Sequence, residues 1–361
     1  MKTVIKHEVN WFLEATVLLE TSYADESYAA MHARWQNRKG ERAERWRALS
    51  AELVRMEQAV RWALGDRQAQ AAFFFRPMRA NGSMSCASFL CERHYDAGYS
   101  SVAEARQALA AQTQAQRARS FLKELMGNEY EAEADGAEQL FRELVDCDLT
   151  DGQKQIIGQL FFRHEEYAEQ LLSLIETAIE AMQPWKALIE AEVADCAQRW
   201  EAFLAQYDLQ TWLNDRFQVA LEDNPHGYVI VPAVTGCNCM GIHTGGGRAA
   251  REMPYTLRMG VLMDASGEDG AVDPSALCEV LKLLSDRSKM DILRILKEQR
   301  AYGGELARRM DLTTATISYH MQALINYNMV GVEKVNNRIY YTLNRRRIEE
   351  LLDEARAVLL E

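Results

Sequence analysis

A run of hydroxyl, amide and aromatic side chains near the end of the chain is the clearest set of residues that could recognise another molecule. It consists of Thr313, Thr314, Thr316, Ser318, Tyr319, His320 and Gln322. On a helix in the major groove of DNA, such side chains reach base edges and phosphates. Further candidate contacts follow along the chain, at Lys334, Asn337, Arg338 and Arg345. We therefore predict nucleic-acid binding here, although His320 could equally pack beside Met321 and Leu324.

A second candidate for chemistry is the thiol pair Cys237 and Cys239, with His243 four residues further on. Thiolates and an imidazole suit Zn²⁺ or Cu(I), but no fourth ligand is evident. The alternative is a glycine-rich loop that carries thiols without binding anything. We expect no metal and no cofactor; these three residues are the leading metal candidates, and Cys86, Cys91 and His94 form a weaker set.

Catalytic motifs are absent from the sequence. We find no G-x-S-x-G elbow, no Walker-type phosphate loop, no H-E-x-x-H pair and no dinucleotide fingerprint. His164, Glu165 and Glu166 are adjacent and lack the Glu-x-x-His spacing of a di-iron bundle. The sequence therefore names no catalytic residue, and we expect that the protein is not an enzyme.

The composition is that of a folded protein that is neither membrane-spanning nor exported. The chain has 361 residues, of which 48% are hydrophobic, and no uncharged apolar stretch approaches the roughly 18 residues of a membrane helix. No export signal opens the sequence, and the seven cysteines are scattered and odd in number, as in reduced thiols. We expect a cytoplasmic protein with no membrane partner.

The charge is unevenly distributed, which suggests two parts with different partners. The net charge is −12, and residues 1–273 hold 27 basic and 41 acidic residues. Between Arg287 and Arg347, by contrast, 12 basic residues face 5 acidic ones. A cationic segment on an acidic chain favours contact with a polyanion by that segment alone.

The first part of the chain has the periodicity of amphipathic helices. Apolar faces recur at Leu53, Met56, Val60 and Leu64, from Ile157 to Leu174, and from Ile189 to Tyr207. Thr150 followed by Gln153 predicts a capping box at a helix start. We predict a helical domain over 1–224 and a connector rich in glycine and proline over 225–273, with strands at Tyr228–Ala233 and Tyr255–Met263.

Residues 274–361 follow a different and more specific pattern. Two short helices precede a turn at Gly303 and Gly304, a third helix covers Glu305–Met310, and the next helix is capped near Thr313 and continues to Asn326. Strands at Val330–Val335 and Arg338–Leu343 then flank a two-residue turn, and a last amphipathic helix runs over Arg347–Leu360. This order predicts a winged helix-turn-helix domain.

At this point the sequence resembles the ArsR/SmtB-type bacterial transcriptional regulators. The resemblance lies in Leu283–Leu293, Gly304–Ala307, Leu312–Leu324 and Tyr340–Leu343. It implies a winged helix-turn-helix, a homodimer formed through the first and last helices of the domain, and repression by binding operator DNA. The alternative for those two helices is that their apolar stripes pack on the N-terminal domain of the same chain. Arg287 and Lys289 depart from the usual Pro and Arg of the family.

The resemblance does not extend to the metal sites of the family. The helix before Asp311 has no paired cysteines, and the last helix has Asp353 and Glu354 but no histidine. We therefore expect neither of these sites. All seven tryptophans precede residue 213, and together with Phe73–Phe75 they could line a pocket for a small-molecule effector in the first domain.

We interpret the chain as a mainly α protein: a helical N-terminal domain, a small β-containing connector and a C-terminal winged helix-turn-helix. Its predicted function is that of a ligand-responsive, homodimeric repressor of the ArsR type that binds double-stranded operator DNA. Two alternatives stay open: an enzyme with a regulatory DNA-binding tail, and a winged helix used for protein contact.

Overall fold

The protein is described by a computed structural model. The described residues are 2–24, 27–36, 41–78, 84–91, 98–126, 136–147, 149–217, 219–221, 223–243, 253–263, 274–335 and 338–360. They form two compact units. The N-terminal unit contains the described parts of Met1–Leu125, Glu131–Ala202 and Asn224–Ala265, and the C-terminal unit contains those of Met126–Tyr130, Phe203–Asp223 and Ser266–Glu361.

The N-terminal unit is built mainly from helices. The helices before residue 205 are Trp11–Tyr23 (α1), Tyr28–Trp35 (α2), Glu41–Leu64 (α3), Gln68–Phe75 (α4), Cys86–Leu90 (α5), Val102–Ala110 (α6), Gln114–Met126 (α7), Ala137–Asp146 (α8), Asp151–Phe162 (α9), His164–Met182 (α10) and Lys186–Leu204 (α11). Helix α10 is central and packs against α1, α3 and α6. Its buried Leu171, Leu174 and Ile175 explain this position, because they form a continuous apolar stripe.

A small sheet completes this unit. Its strands are Thr3–Ile5 (β1), Tyr228–Ala233 (β3), Met240–His243 (β4) and Tyr255–Gly260 (β5), in the order β1-β3-β5-β4. Strands β1, β3 and β5 run parallel, and β4 is antiparallel to β5. The strands expected in a connector thus pair with the start of the chain and belong to the N-terminal unit.

The C-terminal unit holds the remaining elements. They are Leu209–Phe217 (α12), Val219–Ala220 (β2), Pro274–Ser285 (α13), Arg287–Glu298 (α14), Ala301–Tyr302 (β6), Gly303–Met310 (α15), Thr314–Asn326 (α16), Val330–Val335 (β7), Arg338–Leu343 (β8) and Arg345–Leu360 (α17). The second sheet has the order β2-β7-β8-β6. A single apolar core that includes Ile292, Leu306, Ile317 and Leu351 joins α14, α15, α16 and α17.

The expectation of a mainly α protein with small sheets is confirmed. The capping box of Thr150 and Gln153 is present, and the hairpin strands have the expected bounds. The apolar face expected over 157–174 is divided between two helices, because Arg163 has φ −107° and ψ 32° and interrupts the helical geometry. Strands β1, β2, β4 and β6 were not expected.

Two further observations concern the membrane and the cysteines. In the described ranges, no helix is long and apolar enough to cross a membrane. All seven cysteines are free thiols.

Candidate nucleic-acid interface

The turn between α15 and α16 sets the start of the helix that carries most of the predicted contacts. Asp311 ends α15 in the left-handed conformation, with φ +54°, and the Leu312 amide donates to the Ala307 carbonyl at 3.0 Å. Thr313 is the N-cap of α16, because its Oγ1 accepts from the Thr316 amide at 3.1 Å. Two helices joined in this way form a helix-turn-helix. The first backbone amides of α16 have no carbonyl partner within the helix, and they lie at an exposed end that includes Thr313 and Thr314.

Helix α16 has one buried and one exposed face. Ile317 and Leu324 lie in the core, whereas Thr314, Ser318 and Gln322 are exposed. These three polar residues are four positions apart, so their side chains form one row along the helix. The row is a surface of hydroxyl and amide groups that can enter a groove of DNA.

His320 does not belong to this row. Only 8% of its surface is exposed, and the helical period places it on the face of Ile317 and Leu324. Its Nδ1 has no hydrogen-bond partner among the described residues. Burial lowers the pKa of His320, so the neutral imidazole is favoured. This burial favours the packing alternative for His320, and contact of His320 with DNA stays a prediction.

A buried lysine on α14 supports α16. Lys289 is 7% exposed, and its Nζ donates to Asp286 Oδ2 at 2.9 Å. Asp286 also caps α14 by accepting from the Lys289 amide at 3.0 Å. Partial burial opposes ionisation of Asp286, but these bonds from Lys289 outweigh it and lower the pKa of the carboxyl. The Lys289 ammonium lies 5.7 Å from the ring centroid of Tyr319, which is half-buried on α16.

The hairpin β7–β8 follows α16 and has the register Val335↔Arg338 at its tip. The backbones of Lys334 and Arg338 are therefore adjacent to the turn, as expected for a wing. Asn337 lies outside the described residues, and so do the side chains of Lys334 and Arg338. The assignment of these three residues as DNA contacts stays a prediction.

Many of the arginines of the C-terminal unit have acidic partners. The pairs are Arg300–Glu333 at 2.7 Å, Arg309–Glu305 at 2.5 Å, Arg346–Glu350 at 2.8 Å and Arg347–Glu354 at 2.6 Å. Arg345 is exposed, donates to the Lys297 carbonyl at 3.0 Å, and forms no ion pair with any described residue. The charge of Arg345, at the start of α17, is therefore not neutralised by a described acidic side chain.

The three metal candidates are not assembled into a metal site. Cys237 is buried, Cys239 is exposed and His243 is half-buried. Burial, together with the nearby Cys239 and Glu14, raises the pKa of the Cys237 thiol far above its usual value, so the neutral thiol is favoured. Within the described ranges, no group of three or more His, Cys, Asp or Glu residues could hold an ion.

The loop after β3 is instead held by a buried carboxylate. Glu14 on α1 is fully buried and accepts from the Val234 amide at 2.7 Å, the Thr235 amide at 2.8 Å and Thr235 Oγ1 at 2.6 Å. Burial raises the pKa of Glu14 even though these bonds oppose it. Tyr28 adds a bond from its hydroxyl to the Thr235 carbonyl at 2.8 Å. Glu14 and Tyr28 therefore stabilise the loop that precedes Cys237.

Comparison with known proteins places the likeness in about a fifth of the chain. The arsenical resistance operon repressor of Staphylococcus aureus is 29% identical over 76 residues, which are 21% of this chain and 73% of that protein. The repressor of the same name from Staphylococcus xylosus is 32% identical over 68 residues, which are 19% of this chain and 65% of that protein. A homologue of the cadmium resistance transcriptional regulatory protein CadC from Staphylococcus aureus is 27% identical over 84 residues, which are 23% of this chain and 69% of that protein.

These similarities support a regulator of the ArsR/SmtB type over that part of the chain. All three names describe repressors or regulators, and none describes an enzyme. No family model matches the chain, and no solved structure matches it. The remainder of the chain lies outside the matched segments.

Sequence reasoning missed two supports of this interface. The first is the Asp286–Lys289 pair, whose only signal was a lysine where the resembled family usually has an arginine. The second is the segment with α12 and β2, because a strand of two residues leaves no periodic pattern that would reveal it. Both lie in the C-terminal unit with α16.

Proposed function

We propose that this chain is a DNA-binding transcriptional regulator of the ArsR type that represses by occupying operator DNA. The helix-turn-helix α15–α16 and the hairpin β7–β8 together form its winged helix. The observation that carries the proposal is the exposed row of Thr314, Ser318 and Gln322 on the second helix of that motif. Because a regulator must reach operator DNA inside the cell, we place the protein in the cytoplasm.

The proposed contacts divide by chemistry. Ser318, Tyr319 and Gln322 face base edges in the major groove, where an amide can bind adenine through two hydrogen bonds. Thr313, Thr314 and Thr316 lie at the N-terminus of α16, where free amides and the helix dipole attract phosphate. Lys334, Asn337, Arg338 and Arg345 add contacts to the DNA backbone from the wing and from α17.

We further propose that the protein acts as a homodimer. Helices α13 and α17 pack together and leave Leu281, Leu352, Leu359 and Leu360 exposed, at 42%, 64%, 72% and 79%. Exposed apolar side chains on these two helices would be covered if two copies paired through them, and a two-fold dimer reads two half-sites. The double substitution Leu352→Glu and Leu359→Glu should yield a monomer by light scattering. Val145→Glu, a charge introduced at a 71% exposed position on α8, should leave the mass unchanged.

A signal for this regulator would enter through the N-terminal domain. We propose that a small molecule bound there prefers the DNA-incompetent geometry, and that operator affinity falls by its differential binding free energy, typically about 1–3 kcal/mol. Native mass spectrometry of the freshly purified protein would detect the retained ligand and the subunit number together.

The central test is a binding titration with the DNA upstream of the protein's own gene. Fluorescence anisotropy at several salt concentrations should show tighter binding to this DNA than to a scrambled duplex of equal length. The variant with both Ser318→Ala and Gln322→Ala should lose that preference. Gln114→Ala, which removes an amide from an exposed helical position of the N-terminal unit, is the matched control. Equal binding of both duplexes by the wild type would refute the proposal.

A further inference from the structure

The outer edge of the wing is covered by a strand from a distant part of the sequence. Strand β2 runs parallel to β7, with the pairs Val219↔Val332 and Ala220↔Glu333. On the other side, β8 pairs with β6. Without β2, strand β7 would be an open edge of the sheet, and a hairpin supported on one side is less firmly held.

Helix α12 and the residues around it give β2 its own support. Gln210 donates through Nε2 to the Leu221 carbonyl at 2.7 Å, which ties the end of β2 to α12. Trp212 is buried between Phe203 and Phe217, with ring centroids 6.2 Å and 5.2 Å away. The segment is thus a packed element of the C-terminal unit.

The segment is also bonded to the joint between α16 and β7. Asn328 forms this joint in the left-handed conformation, with φ +57°, and its Nδ2 donates to the Arg216 carbonyl at 2.8 Å. The Asn328 carbonyl accepts from Asn344 Nδ2 at 2.9 Å, so the end of β8 meets the same joint. Asn328 therefore connects α12, α16 and both strands of the wing.

We propose that the segment Leu209–Leu221 is a positioning element for DNA binding, which sets the angle between the wing and α16 through β2 and Asn328. A winged helix binds tightly only when its helix and wing meet the groove and the neighbouring phosphates together, so holding that angle reduces the ordering required on binding. The inference rests on the proposed function.

In the sequence, the segment lies between two stretches of the other unit. Ala202, just before Phe203, and Asn224, just after Asp223, belong to the N-terminal unit.

Two substitutions in the full-length protein test the positioning role. Asn328→Gly removes the amide, and glycine adopts the positive φ without strain, so the effect reports the lost bond. Gln210→Ala acts on the same attachment from the side of the segment. Asp311→Gly is the matched control for hydrogen exchange, because Asp311 is exposed and also has a positive φ of 54°.

Hydrogen exchange followed by mass spectrometry should show faster exchange in both 219–221 and 330–335 for the two variants, but not for Asp311→Gly. Affinity for the upstream DNA should fall by up to about tenfold, the limit reached if the order that one net hydrogen bond supplies in the free protein must instead be gained on binding. Unchanged protection of β7 in both variants would overturn the inference.

The DNA measurement separates this inference from the proposed function. If the wild type prefers its upstream DNA and the variants bind it as tightly despite faster exchange of β7, the positioning role alone is refuted. If the wild type shows no preference for that DNA, the proposed function is refuted, and the role of the segment in DNA binding is refuted with it.

Discussion

Replacing Gln322 by alanine should relax the preference for one base pair and leave the rest of the operator preference intact. The structure sets the scale of the contact. Thr314 and Gln322 are eight residues apart on α16, which corresponds to about 12 Å at a rise of about 1.5 Å per residue. Base pairs are spaced by about 3.4 Å, so the exposed row spans roughly three to four of them.

The expected magnitude follows from the chemistry of an amide in the major groove. A good bidentate contact discriminates between bases by about 1–3 kcal/mol, or about 5- to 150-fold in affinity. The assay is a titration of wild type and Gln322→Ala against a set of operator duplexes, each with one base pair changed. At one base pair, the variant should bind all four alternatives with nearly equal affinity. At the neighbouring positions, its preferences should match those of the wild type.

Two outcomes would refute this reasoning. If Gln322→Ala weakens binding to every duplex by the same factor, the amide contacts the backbone and does not read a base. If the variant behaves as the wild type on all duplexes, the exposed row of α16 does not face the groove. Gln114→Ala on α7 controls for loss of an exposed amide elsewhere.

Three further outcomes are expected. Arg338→Ala should weaken binding to all sequences and reduce the slope of log affinity against log salt by about one unit, whereas Arg294→Ala, an exposed arginine on α14, should not change the slope. Burial, reinforced by Arg117, lowers the pKa of His164 from 6.5 to about 4, so the unfolded chain takes up a proton first as the pH falls. Stability should then decrease by about 2 kcal/mol between pH 7 and pH 5 in urea titrations, and an equal decrease in His164→Gln would contradict this assignment. Glu14→Gln has one carbonyl oxygen for two backbone amides, so urea titration should show a free energy of unfolding lower by about 1–3 kcal/mol, and unchanged stability would show that the two amides find other partners.

The local elements of this protein follow well from sequence patterns. The capping box at Thr150, the hairpin strands 330–335 and 338–343, and helix α16 all appear at or within one residue of their expected bounds. Each depends on neighbours in the sequence: a hydroxyl near a free amide, an alternation of side chains, a turn of two residues. The polar row of α16 is predictable for the same reason, since a spacing of four places residues on one face.

Contacts between distant segments escaped the sequence. Strand β1 has three residues and β2 has two, and each forms only because a partner strand from far along the chain supplies its hydrogen bonds. The role of His320 was open for a related reason. A histidine is equally compatible with a surface and with a core, and only packing against neighbouring elements decides which it occupies.

By itself, the sequence determined that an acidic chain carries a cationic segment with a helix-turn-helix, and which side chains of its second helix share a face. Only the tertiary structure decided that His320 is buried under that helix, that Lys289 supports it, and that a strand from residues 219–220 covers the wing. The physical reason is the range of the interactions involved. Helix periodicity and capping act within a few residues, whereas burial and strand pairing depend on which remote surfaces meet when the whole chain folds.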